Sequence, residues 1–116
     1  MNLKKIGKYF STGRVKGIDC FYLAQSYFDV DKRFIRDQCN MFVLFKQHSI
    51  VFNEIYKQIC QYDMKKTEFD TFVNKFTKNK HDHVILYNDC ITEPYNGKYR
   101  VDLFKYYIPD KYIEKI

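Results

Sequence analysis

Short apolar runs, separated by polar and helix-patterned stretches, constrain this chain most. The clearest is residues 18–25, Ile-Asp-Cys-Phe-Tyr-Leu-Ala-Gln, which is apolar on both faces except at Asp19 and stops abruptly at Gln25-Ser26. A run this short and doubly apolar predicts a strand buried on both sides, as in a parallel sheet. Residues 40–46 (Asn-Met-Phe-Val-Leu-Phe-Lys) and 83–87 (His-Val-Ile-Leu-Tyr) predict two more, and the alternation over 99–104 predicts a fourth, half-exposed strand.

Between them the pattern is helical. Residues 2–10 place Leu3, Ile6 and Phe10 on one side, and residues 31–38 suit one or two turns capped by Asp29 or Asp31. Ser49 is positioned to cap a helix through about Gln61, with Val51, Ile55 and Ile59 on one face. Thr67 and Asp70 resemble a capping box ahead of Phe69, Phe72, Val73 and Phe76. From Lys105 the tail reads as a loop or a short packed arm. The order α-β-(α)-β-α-α-β-β predicts an α/β layer on a mostly parallel sheet. Ligands of such sheets sit beyond the carboxyl ends of the strands, where Gln25 and Ser26 fall.

With 116 residues the chain has length for a single domain, 1–116, and 46% hydrophobic residues can fill its core. No apolar run approaches the roughly 18 residues of a membrane span, so no membrane association is expected. The basic start Met1-Asn2-Leu3-Lys4-Lys5 is interrupted by Gly7, Lys8 and Tyr9 and does not read as a secretory signal. Cys20, Cys39, Cys60 and Cys90 form no CxxC pair and lie in or beside apolar runs, as reduced thiols of an intracellular protein do. His81-Asp82-His83 lacks further ligands for a metal and reads as a solvated loop, so no metal is expected. Cys90 with His81 or His83 lacks the surroundings of a thiol nucleophile.

A net charge of +6 is compatible with a polyanionic partner. The bases group as Lys4, Lys5, Lys8, Arg14 and Lys16; as Lys32, Arg33 and Arg36; and as Lys75, Lys78 and Lys80. Each group reads either as a solvated face or as a track for DNA, and Lys32, Arg33 and Arg36 are the set assigned to DNA.

The most informative segment begins at the turn Gly13-Arg14-Val15-Lys16-Gly17 and continues through the apolar run to Gln25-Ser26-Tyr27-Phe28. A basic turn leads into a strand that delivers one neutral amide to a sheet edge. Such an amide can orient a water and touch a phosphate oxygen at once, as a residue beside a nucleotide γ-phosphate must. Together with Ile35-Arg36 and Phe42-Val43-Leu44-Phe45-Lys46, this segment resembles the FtsK–HerA superfamily of P-loop motor ATPases, in particular the genome-packaging ATPases of large DNA viruses and Polinton-like elements. The resemblance covers residues 8–47 and continues more loosely to about residue 104.

The resemblance implies a partial P-loop NTPase layer, RecA-like, without the Walker A and Walker B strands. It implies Gln25 as sensor of the γ-phosphate, Ser26 beside the nucleotide, and Arg14 as an arginine finger toward a neighbouring subunit. ATP and Mg²⁺ would serve the complete motor, and none is expected for this chain alone. The implied partners are double-stranded DNA, a homo-oligomeric ring or a missing N-terminal half, and capsid proteins, in a virion or an infected cell. The sequence departs from the family pattern: no G-x-x-x-x-G-K-[ST] is present, and Gly97-Lys98 is followed by Tyr99. A split gene, a remnant and an artificial boundary all account for that. The expectation is thus part of a DNA-packaging motor, inactive alone and prone to associate, with a non-catalytic basic α/β module that binds nucleic acid or a capsid partner as the alternative.

Overall fold

A computed structural model describes residues 3–12, 17, 19–32, 35–88, 97–102 and 105–115. The chain divides into two compact units, Met1–Cys39 and Asn40–Ile116.

In the first unit, helix α1 spans Leu3–Thr12. The Cys20 thiol donates to the Tyr9 carbonyl at 3.3 Å, and Phe10 meets the Tyr22 ring edge-on at 6.4 Å. Residues 19–25 run on without regular secondary structure. Ser26 then caps a 3-10 turn, Tyr27–Asp29, its hydroxyl accepting from the Phe28 amide at 3.3 Å. A second 3-10 turn, Arg36–Gln38, follows the fully buried Ile35.

The second unit is a small α/β fold built on a four-stranded sheet. Strand β1 (Met41–Leu44) is followed by α2 (Ser49–Ile55), a π-helical turn (Tyr56–Cys60) and α3 (Lys66–Phe76). Then come β2 (Val84–Tyr87), β3 (Tyr99–Arg100), β4 (Tyr106–Tyr107) and a closing 3-10 helix, Asp110–Lys115. The sheet order is β1-β2-β3-β4 and all three pairings are antiparallel.

This corrects the expectation of a mostly parallel sheet, and the reason is connectivity. One helical pass between two strands returns the chain parallel, whereas two passes, α2 and α3, return it antiparallel. Nor do residues 19–25, the described part of the strand expected over 18–25, form a strand: they lack regular secondary structure, with Phe21 89% and Leu23 95% exposed.

Both helices start earlier than their cap signals suggest, α2 by one residue and α3 by two. His48 caps α2, its Nδ1 accepting from the Ile50 amide at 3.3 Å. Lys65 occupies the cap position of α3, so Thr67 and Asp70 lie inside the helix and the capping box does not form. Asp70 pairs instead with Lys66, one turn back.

Register sorts the sheet into two faces. Leu44 opposite Val84, and Leu86 opposite Tyr99, which in turn faces Tyr107, form the inner face. Here Phe72 of α3 stacks on Tyr107 at 4.4 Å and meets Tyr99 edge-on at 6.2 Å. Phe52, Ile55, Phe69 and Val73 complete the core.

Candidate nucleic-acid interface

The outer face carries a different set. Met41 opposes Tyr87, Val43 opposes Ile85, Ile85 opposes Arg100, and Arg100 opposes Tyr106. Ile85 is buried, but Val43 and Tyr106 are about half exposed. Just beyond the paired strands, Phe45 lies beside His83, ring centroids 5.6 Å apart. The result is a surface with aromatic rings at both ends and one arginine among them.

Arg100 is held on three sides. Its guanidinium lies 4.9 Å from the Tyr87 ring centroid and 4.8 Å from that of Tyr106, and its Nε donates to the Gly97 carbonyl at 2.6 Å. Its two Nη groups make no hydrogen bond among the described residues. Two rings and one hydrogen bond have already restricted the long side chain, so an incoming anion need not. The free Nη pair is the fork that suits a phosphate.

Gly97 makes this packing feasible. Its φ is +103°, and a Cβ there would lie 3.1 Å from Arg100 Nη2 and 3.5 Å from the Tyr106 ring. Gly97→Ala is therefore expected to displace the guanidinium and also to strain the backbone, destabilising the fold by about 1–2 kcal/mol. Urea denaturation checks this, and an unchanged midpoint would remove the steric argument.

The strand bearing Arg100 is anchored from behind. Lys98 Nζ donates to Asp63 Oδ2 at 2.6 Å and to the Ile59 carbonyl at 3.0 Å. The Tyr99 hydroxyl donates to the same carboxylate oxygen at 2.5 Å, and the Tyr112 hydroxyl to Oδ1 at 3.3 Å. Cys60 lies against the Tyr99 hydroxyl, and burial pushes its thiol up to about 12. Burial, and next Cys60 and Asp63, push Tyr99 above its ordinary 10.0.

Both groups stay neutral in the folded chain while the unfolded chain ionises them near 9.0 and 10.0. The stability they contribute is whole below about pH 9 and is lost as pH rises beyond it, by up to about 1.4 kcal/mol per pH unit for each group. Urea midpoints measured from about pH 8 to 11 should fall across that window. A flat profile would contradict the burial of this pair.

A groove of about 810 Å³ opens beside α3, between Tyr56, Tyr62, Glu68, Tyr107, Asp110 and Lys111. Glu68 Oε1 accepts there from the Tyr107 hydroxyl at 2.8 Å and the Asp110 amide at 2.9 Å. Its charges cancel, Lys65 and Lys111 against Glu68 and Asp110, so it favours no charged ligand.

Of the residues singled out by sequence, Gln25, Ser26, Lys32 and Arg36 lie in the first unit. Gln25 is exposed on the irregular segment, and the Ser26 hydroxyl serves the local cap. Lys32 faces Asp37 at 3.9 Å, and the Arg36 guanidinium lies 4.5 Å from the Tyr27 ring centroid. Arg14, Arg33 and Cys90 lie outside the described residues. His81 stands at an exposed turn with φ +71°, and the His83 ring is 3.2 Å from the His81 carbonyl. Among the described residues no three His, Cys, Asp or Glu side chains gather as a metal site, and no helix is long and apolar enough to cross a membrane.

Sequence reasoning passed over Tyr87, Arg100 and Tyr106. A signal for Arg100 was present: the alternation over 99–104 turns Tyr99 inward and therefore Arg100 outward. Comparison with known proteins finds no matching family model, no matching curated relative and no matching solved structure.

Proposed function

We propose that this chain is a non-catalytic, basic α/β module that binds nucleic acid on the outer face of its sheet. The observation that carries this reading is Arg100, fixed between Tyr87 and Tyr106 with both Nη groups open. A sheet face offering aromatic rings and an arginine suits unpaired bases, which stack on the rings while the cation meets the backbone. The net charge of +6 adds attraction that does not depend on base sequence.

The packaging-motor reading also has a nucleic-acid partner, but it asks for Gln25 at the tip of an interior strand of a parallel sheet. Gln25 is instead exposed outside any strand, and the sheet is antiparallel, so the geometry favours the module. The two readings part on ATP: the module binds DNA equally with and without ATP and Mg²⁺.

Fluorescence anisotropy with a labelled single-stranded oligonucleotide tests the proposal. Affinity should fall steeply with salt. Tyr106→Ala should weaken binding by about 5- to 100-fold, the range of one lost stacking contact. Arg100→Ala should weaken it by about tenfold and lower the salt slope by about one. Binding indifferent to both substitutions would end this reading.

A further inference from the structure

The segment 19–25 has a strand's sequence and, among the described residues, forms no strand. Phe21 and Leu23 are 89% and 95% exposed, and among the described residues the backbone of 21–25 makes no hydrogen bond. Two large apolar side chains two residues apart, on a segment outside regular secondary structure with open amides and carbonyls, are what strand addition uses. Exposed apolar surface of this kind marks an interaction site.

We infer that this segment pairs with the same segment of a second copy, antiparallel, about a two-fold axis through Tyr22. The order of residues selects that occupant and that register. With the axis at Tyr22, Phe21 lies opposite Leu23 of the second copy, Cys20 opposite Ala24, and Asp19 opposite Gln25. Apolar thus meets apolar, and the polar residues meet at both ends. Moving the axis to Phe21 sets Asp19 against Leu23, and moving it to Leu23 sets Phe21 against Gln25. Each alternative buries a polar group against an apolar one. The pairing is isologous and closes at two copies.

The paired surface is small. Two copies of Phe21 and Leu23 are a fraction of the roughly 1,200–2,000 Å² of a standard interface, so the dimer is of the weak, reversible class. Nothing in this inference draws on the sheet face of the second unit, and neither reading depends on the other.

Sedimentation equilibrium of the full chain, from about 10 to about 500 µM, reads it directly. Mean mass should rise with concentration and level off at two chains. Leu23→Asp, at an exposed position where folding is untouched, should hold the mass at one chain. Cysteine cross-linking reads the register. With oxidised glutathione as oxidant, reduced to two thiols as the disulfide forms, Tyr22→Cys should give a covalent dimer because position 22 faces itself across the axis. Leu23→Cys should give far less, since it faces Phe21. A chain monomeric throughout, a mass that climbs past two chains, a dimer that survives Leu23→Asp, or equal cross-linking at 22 and 23 would each overturn the inference.

Discussion

Lys98→Met should cost about 3–5 kcal/mol of folding stability, a large share of what a domain of this size possesses. The ammonium is nearly buried, and its partner Asp63 is more so, with side-chain exposures of 17% and 9%. Removing the cation leaves a carboxylate inside the fold with two tyrosine hydroxyls as its remaining donors. Those bonds lessen the penalty without supplying an opposite charge, which places the cost toward the lower end. The Ile59 carbonyl loses a donor in the same step.

The double variant Asp63→Leu, Lys98→Met separates the pair from the shape of the side chains. It removes both charges together and should cost much less than the two single losses added. Urea denaturation of the four chains completes the cycle, and additive losses would mean that the two groups do not interact. The consequence reaches the outer face, because Lys98 and Tyr99 hold from behind the strand that carries Arg100. Lys98→Met should therefore weaken oligonucleotide binding as well, although Lys98 contacts no ligand there.

How far this architecture could be read from the sequence depended on the range of the interactions that decide it. The runs 40–46 and 83–87 contain β1 and β2 because a continuous apolar run carries its own signal, although β1, with Met41 and Val43 exposed, is not buried on both sides as expected. The stripe Phe69, Phe72, Val73, Phe76 became the core face of α3 for the same reason, with Phe76 left partly exposed at its end. Strand direction was misjudged although two helices were expected between the second and third runs; their number, and not the apolarity of the strands, decides it. Residues 18–25 are a different failure. Doubly apolar composition reports that a segment prefers burial, and it does not say whether the partner lies in the same chain.

The candidate site was legible in part. Alternation assigns Arg100 to the outer side, but the clamp needs Tyr87, thirteen residues earlier and on another strand, and Tyr106 beyond a turn. Register brings those three together, and register is long-range information. The basic cluster assigned to DNA has local contacts of its own that the sequence does not display: Lys32 faces Asp37, and Arg36 lies against Tyr27.

Phe72→Ala is the second substitution expected to have a large effect, about 3–5 kcal/mol. Phe72 is 1% exposed and touches three aromatic neighbours: Phe76 at 5.6 Å, Tyr99 at 6.2 Å and Tyr107 at 4.4 Å. Truncation removes the transfer energy of a phenyl group and leaves a cavity walled by rings that cannot collapse into it. Tyr99 is tied to Asp63 and Tyr107 to Glu68, so neither can move inward without losing a buried or half-buried hydrogen bond. Phe76→Ala removes the same group from a partly exposed position at the end of α3 and should cost less than half as much. Urea denaturation of both variants decides the matter. Equal losses would show that the rings around Phe72 relax freely, and that the two ties holding the inner face of the sheet do not fix it in place.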